Sequence, residues 1–337
     1  MTEHEQELYN RMLRLRWGWH KYWGVDPDQA IGMLEEASKI AEQLQKPLIV
    51  MECRHWITQL LLFQKRDFAK SLPMAIESAV EARKPLYQNW QHKTCLHQDL
   101  IASYVGADAI SYEAAIEKAL SQMLADVSPT SPCMSCLLGE RVGFEYKRGD
   151  TKAAERAAQA WFAHDNGSHH GSAAQECLTE YAVLHQEYEK ALEHGELALK
   201  LATKGDRQEI AAGALAWQAV AHLHLGDEAA AETCSQQCDA TLVDYHATLS
   251  ESYHNARVTY HELRDKLPDA IAARAAHLVD LADHGALREE ARAWVDLCRL
   301  KKQYGQLNDI TIEQAQASIA KLKIQGDLPE KLAAIIS

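Results

Sequence analysis

The stretch of sequence that decides the fold is WQAVAHLHLGDEAAA, residues 217–231. Its first half is apolar and contains Ala and Leu, which are strong helix formers. A Gly-Asp pair then interrupts the pattern at Gly226, because glycine readily adopts the left-handed conformation that ends many helices. Alanines follow where a second helix could approach the first closely. The stretch therefore predicts two helices joined by a short turn.

The same layout occurs at residues 141–154 and 178–192, each with a helix, a short polar turn and a second helix that carries small residues. The turns begin at Gly149 and Gln186. One hairpin cannot bury its apolar stripe alone, so neighbouring hairpins must stack to make a continuous core. The repetition therefore predicts a stack of helical hairpins.

This layout resembles the tetratricopeptide repeat family, in which a Gly-Asp or similar turn joins helix A to helix B and a small residue packs between them five places after the glycine. Ala154, Ala191 and Ala231 match that place. They are 37 and then 40 residues apart, longer than the family's usual ~34, and the Trp-Leu-Gly-Tyr pattern of helix A is incomplete. The resemblance is to a divergent member and implies an all-α fold, a right-handed α-solenoid of helix-turn-helix repeats.

Weaker forms of the pattern extend in both directions and divide the chain into four parts. Residues 1–127 are expected to form N-terminal helical hairpins of degenerate repeats, and residues 128–136 a loop and the start of a helix. Residues 137–300 carry the tetratricopeptide-like repeats, and residues 301–337 are expected to form capping helices.

Composition favours helices and a protein partner. Glycine (16) and proline (8) are scarce for 337 residues, whereas a sheet-rich fold would need many turns. The 35 basic and 48 acidic residues give a net charge of −13. Nucleic-acid binders normally present a basic face to the phosphates, so nucleic acid is not the expected partner. A protein or peptide that is basic, or that carries a basic anchor, fits this charge better.

The sequence shows neither a targeting segment nor a membrane span. Its first residues are acidic and polar, unlike a signal peptide, and no run approaches the ~18 apolar residues of a spanning helix. The eight cysteines are scattered, so we expect thiols or metal ligands rather than a disulfide framework. These features predict a cytoplasmic protein.

The resemblance also implies which residues contact a ligand, because helix A lines the inner groove of tetratricopeptide arrays. Counting back from the small residue of each repeat places a set of candidate peptide-binding residues on this groove: Glu140, Glu176, Glu180, Trp217 and Asn255. The same count places fifteen further residues there, namely Cys136, Gly139, Gly143, Tyr146, Ala173, Cys177, Val183, Gly213, Ala216, Val220, Leu223, Ser252, Ala256, Thr259 and Glu262. The glutamates would form an acidic patch suited to a Lys or Arg of the partner, and the tryptophan a flat apolar anchor. The alternative is that the tryptophan packs between helices and that the glutamates are solvated surface residues.

The sharpest local motif is PCMSC, residues 132–136. Ser131 can cap a helix that begins at Pro132, which puts both thiols in its first turn, where the helix dipole favours the thiolate. A structural zinc site needs four ligands in tetrahedral array. The candidate set is Cys133, Cys136, Cys177 and one of His169 or His170. The alternatives are a redox dithiol and buried or idle cysteines.

The leading hypothesis is a scaffold or adaptor that binds a protein or peptide along its inner groove. The alternative is a zinc-binding or thiol-responsive regulatory protein that uses the region of Cys133, Cys136 and Cys177. An enzyme that uses Glu140 or Glu180 has no motif behind it, since the sequence contains none of the common nucleotide-binding, hydrolase or metalloprotease signatures.

Overall fold

A computed structural model of the protein describes residues 1–90, 92–127, 132–164, 170–205 and 207–337. These residues form 17 α-helices and two short 3-10 helices, and no β-strand occurs among them. The first six α-helices are α1 (Glu3–Gly18), α2 (Pro27–Gln43), α3 (Pro47–Phe63), α4 (Phe68–Glu81), α5 (Lys93–Asp108) and α6 (Glu113–Asp126). The next six are α7 (Pro132–Arg148), α8 (Thr151–His164), α9 (His170–Leu184), α10 (Tyr188–Gly205), α11 (Gln208–His224) and α12 (Glu228–Thr241). The last five are α13 (Glu251–Leu263), α14 (Leu267–Leu281), α15 (Leu287–Gln303), α16 (Asp309–Ala320) and α17 (Leu328–Ile336).

Neighbouring helices pack in chain order, and alternate helices also pack between successive hairpins. Thus α9 contacts α10 and α11, and α11 contacts both α12 and α13. The same pattern relates α3, α5 and α7. This arrangement confirms the predicted all-α solenoid of tetratricopeptide-like hairpins. Within the described residues no helix is both long and apolar enough to cross a bilayer.

The turns between paired helices adopt the backbone conformation that the sequence predicts. Gly149, Gln186 and Gly226 have φ angles of 93°, 61° and 79°, in the left-handed region. The alanines five places further on are fully buried and let the two helices approach closely; they are Ala154, Ala191 and Ala231. Each turn therefore reverses the chain at a residue whose conformation glycine adopts without strain.

Replacing Gly226 with alanine should lower the free energy of unfolding by about 1–2 kcal/mol. Its φ of 79° is unfavourable for a residue with a Cβ, although the added methyl would have no atom within 4 Å. Gly32, inside α2, has equally open surroundings and an ordinary helical φ, so Gly32→Ala should stabilise by up to ~1 kcal/mol. Urea denaturation of both variants measures the difference, and equal effects of the two substitutions would contradict this explanation.

The solenoid curves until its N-terminal end, at α3 to α5, contacts its C-terminal end, at α14 and α15. One apolar cluster combines Leu62 and Phe68 from the N-terminal part with Leu278, Leu281 and Leu297 from α14 and α15. Burial of such residues is the dominant favourable contribution to helix packing. The two ends of the array therefore share a hydrophobic core.

Polar contacts reinforce this closure. The backbone N–H of Ala69 donates to the carbonyl of His284 at 3.0 Å. The guanidinium of Arg288 pairs with Asp108 at 2.5 Å, and both side chains are about 4% exposed. Because these parts of the chain meet, the inner helices curve around a cavity that is partly open to solvent.

Candidate functional site

The inner helices form a partly open cavity of about 370 Å³, lined by side chains from α7, α9, α11, α13, α14 and α15. Three of the five predicted peptide-binding residues line it together, namely Glu180, Trp217 and Asn255. They come from three successive inner helices, at the places that the repeat count assigns to the groove. The cavity therefore brings three of the predicted residues together.

A hydrogen-bond network ends on the carboxylate of Glu180. The hydroxyl of Tyr146 donates to its Oε1 at 2.6 Å, and the hydroxyl of Ser252 donates to its Oε2 at 2.7 Å. The indole Nε1 of Trp217 donates in turn to Ser252 at 2.9 Å. The Nδ2 of Asn255 lies 3.5 Å from the hydroxyl oxygen of Tyr146. The network orients the carboxylate through neutral donors alone.

Glu180 is 3% exposed, and its environment disfavours the charged form. Burial is the main reason why its pKa is raised to about 7, and the nearby Glu251 adds to the increase, whereas the hydrogen bonds from Tyr146 and Ser252 oppose it. Lys147 also lowers the pKa, but its ammonium is bonded to Glu251 and Glu289. Within the described part of the chain, no basic side chain forms an ion pair with Glu180.

The other acidic residues of the cavity are bonded to cations. Glu262 accepts from Arg299 at 2.6 Å, and Asp296 accepts from Arg274 at 2.8 Å. The carboxylate of Glu289 is fully buried and bonds with Arg66, Lys147 and His277 at 2.7, 2.6 and 3.0 Å; Glu251 is bonded to Lys147. Among the carboxylates that line the cavity, Glu180 therefore differs from the others because its hydrogen-bond donors are all neutral.

Trp217 is 2% exposed and packs within the core cluster of α11 and its neighbours. This agrees with the alternative interpretation that the indole packs between helices. Its edge nevertheless contributes to the cavity wall, and its Nε1 supports Ser252. We therefore assign it to the support of the network and not to an exposed anchor.

The glutamates predicted as one acidic patch lie in different surroundings. Glu140 accepts a hydrogen bond from Gln98 at 2.7 Å, and neither Glu140 nor Glu176 lines the cavity. The side chain of Glu176 fills the space beside Gly213. A Cβ added at position 213 would lie 2.0 Å from the Oε1 of Glu176. Burial raises the pKa of each to about 8. Glu176 is buried and Glu140 is half-buried and hydrogen-bonded, so neither is a fully solvated surface carboxylate as in the alternative interpretation.

The raised pKa of Glu176 predicts a pH-dependent stability. Because its pKa is about 8 in the folded protein and 4.5 ordinarily, the folded state holds the proton more tightly. The stability contributed by this group is fully present below the unfolded pKa and is lost as pH rises through about 8. The free energy of unfolding should therefore fall less in Glu176→Gln than in wild type when the pH is raised from about 5 to about 9. The difference between the two decreases should be on the order of 1 kcal/mol or more. Urea denaturation across this range tests it against the control Glu189→Gln, an exposed residue of α10; parallel curves for wild type and Glu176→Gln would contradict the assignment.

The predicted zinc ligands that the structure describes lie in different surroundings. The described residues contain no group of three or more His, Cys, Asp or Glu that could hold a metal ion. Helix α7 begins at Pro132 as predicted, but the thiol of Cys133 lies 3.8 Å from that of Cys95 on α5. Cys177 instead packs against the core cluster that contains Leu178 and Tyr181, because its helix presents it to α7 and α8. His169 lies outside the described residues.

Several cavity residues were missed because the repeat count stopped at the fourth repeat. Gly305 has a left-handed φ of 72°, as the earlier hairpin turns do. The same count applied from this glycine places Arg292, Asp296 and Arg299 on the inner face, and all three line the cavity. Their positions were thus recoverable from the sequence. The positions of His277 in the cavity and of Lys147 beside Glu289 were not recoverable, because their contacts depend on how far the array curves.

Comparisons with known proteins add little to this description. No protein-family model matches the chain, and no curated protein matches its sequence. Among solved structures it is similar to the crystal structure of the APC/C hetero-tetramer Cut9-Hcn1, with a TM-score of 0.35 and 12% sequence identity. The alignment covers 89% of this chain and 59% of that chain. The class of protein is defined instead by its own packing, a helical-repeat solenoid of tetratricopeptide-like hairpins.

Proposed function

We propose that the protein is a scaffold that binds a protein or peptide partner by accepting one basic side chain in the cavity at Glu180. The observation that supports this proposal is the hydrogen-bonded carboxylate of Glu180, which faces the cavity with neutral donors and without a bonded cation. A Lys or Arg of the partner would supply that missing charge. Charge-assisted hydrogen bonds of this kind are about twice as strong as neutral ones.

The size of the cavity limits what can enter it. At about 370 Å³ it lies near the lower end of ligand pockets, which hold roughly 300–1,000 Å³. This volume suits a single long side chain with a little of its backbone better than an extended peptide. The partner would therefore contact the rim of the array and insert one residue.

Selectivity for a cation follows from the surrounding ion pairs. Arg274 and Arg299 are held by Asp296 and Glu262, so their positive charges are compensated within the protein. The third arginine of the cavity, Arg292, lies 3.9 Å from Glu251 and donates to the backbone carbonyl of Lys147. An acidic side chain at the same place would meet the carboxylate of Glu180. Repulsion of the wrong charge contributes to specificity as much as attraction of the right one.

The test compares peptides that differ in one side chain. In a peptide library with lysine, arginine or norleucine at one position, we expect calorimetry to detect binding that requires the basic residue. Glu180→Gln should weaken that binding by roughly ten-fold or more, the equivalent of about 1.5–3 kcal/mol for a hydrogen bond to a charged group. Glu189→Gln, on the exposed side of α10, should bind as wild type does.

Two results would contradict the proposal. Norleucine peptides that bind as tightly as lysine peptides would show that charge is not recognised. Equal affinity of wild type and a folded Glu180→Gln variant would show that recognition occurs elsewhere. Far-ultraviolet circular dichroism and thermal melting of the variant establish that it is folded.

A further inference from the structure

Two cysteines from different helical hairpins lie close together away from the cavity. The Sγ atoms of Cys95 on α5 and Cys133 on α7 are 3.8 Å apart, although the residues are separated by 38 positions in the chain. A disulfide has an S–S distance of about 2.05 Å, so the two sulfur atoms need to move about 1.8 Å closer together. Side-chain rotation covers distances of this size.

The surroundings differentiate the two thiols. Cys133 is in the first turn of α7, where the helix dipole favours the thiolate. The pKa of the Cys95 thiol is raised, chiefly because it is hydrogen-bonded to Cys133, and burial adds to this effect. The Nδ1 of His92 lies 4.0 Å from the sulfur of Cys95. Burial lowers the pKa of His92, so a neutral imidazole lies beside the Cys95 thiol.

We propose that Cys95 and Cys133 form a reversible disulfide by exchange with a low-molecular-weight disulfide such as glutathione disulfide. The Cys133 thiolate attacks one sulfur of that disulfide, its S–S bond breaks, and one glutathione thiolate leaves. Cys95 then loses its proton to water and attacks the Cys133 sulfur of the mixed disulfide. The second glutathione leaves as a thiolate and takes up a proton. Two protein thiols are oxidised while one glutathione disulfide is reduced to two thiols.

The disulfide would join α5 to α7, two helices that already share a hydrogen bond, and α5 is also bonded to α3. On α5, Gln98 donates to Glu140 of α7, and Asp99 bonds with His55 of α3. A covalent link one turn away would hold these inner helices together and restrict local opening of the array. A disulfide stabilises a protein largely because it restricts the unfolded chain. The reduced protein would therefore keep the same folded contacts but lack this restriction.

The experiment uses the full chain and glutathione disulfide as the probe. After incubation and alkylation of the remaining thiols, mass spectrometry should show a protein lighter by two hydrogen atoms and a linked peptide pair that contains Cys95 and Cys133. Cys95→Ser should stop at the mixed disulfide, with glutathione retained on Cys133. Cys136→Ser, which removes the exposed thiol one turn further along α7, should still form the bond.

Thermal melting supplies a second measurement. Oxidation should raise the Tm of wild type and of Cys136→Ser by a few degrees, reversibly on reduction, and should leave the Tm of Cys95→Ser without this increase. A disulfide between Cys133 and Cys136 in wild type would overturn the proposal. So would a persistent glutathione adduct on Cys133 in wild type, because it would show that Cys95 does not resolve it.

Discussion

Glu289→Gln should lower the free energy of unfolding by about 3–5 kcal/mol, as expected when one partner of a buried ionic group is removed. The carboxylate is fully buried and bonds with Arg66, Lys147 and His277. These three residues belong to the turn before α4, to α7 and to α14. The substitution would therefore leave positive charge uncompensated at the point where the two ends of the solenoid meet.

The neighbouring residue provides the matched control. Glu290 bonds with Lys321, whose side chain is 52% exposed, and exposed pairs usually contribute less than about 1 kcal/mol. Glu290→Gln should therefore have a small effect on urea denaturation. If the two variants were destabilised equally, the buried ionic cluster would not be what holds the ends together.

The effect of Glu289→Gln should also depend on pH. Burial opposes ionisation of Glu289, but Arg66, Lys147 and His277 outweigh it and hold the pKa well below its ordinary value of 4.5. A lowered folded-state pKa contributes stability that is present above the unfolded pKa and is lost as pH falls through the folded pKa. The difference between wild type and the variant should consequently shrink in strong acid.

Gly106→Ala should destabilise the protein by about 3 kcal/mol, at the upper end of the usual cost of overpacking a core. A Cβ at this position in α5 would lie 1.8 Å from the Cε1 of Phe68. The ring of Phe68 cannot move freely, because it belongs to the cluster that joins α14 and α15 to the N-terminal helices. The methyl group would therefore disturb the closure as well as the local helix crossing.

Gly143 in α7 is the control for Gly106. A Cβ there would lie 3.5 Å from Val105, which is an ordinary contact, so Gly143→Ala should be neutral or stabilising. The smaller side chain in Phe68→Leu should partly rescue Gly106→Ala, so that the double variant is more stable than the sum of the single effects predicts. Strict additivity of the two changes would contradict a direct clash.

The residues of the candidate site that occupy equivalent positions in successive hairpins could be predicted from the sequence. Glu180, Trp217 and Asn255 occupy equivalent faces of successive hairpins, and the repeat count brought them to the same cavity. The count could not show that Glu140 and Glu176 have different neighbours, since Gln98 and Gly213 lie on other helices. Nor could a local motif show that Cys133 faces Cys95, because that contact joins two hairpins.

By itself, the sequence determined the hairpins and their turns. Local helix propensity, the left-handed turn residues and the buried alanines all act within about 40 residues, which is the span of one repeat. Only the tertiary structure decided that the array closes, that Arg288 meets Asp108, and which side chains line the cavity between the inner helices. The curvature of a solenoid accumulates from a small rotation at each repeat, so slight differences in helix packing determine whether its distant ends touch.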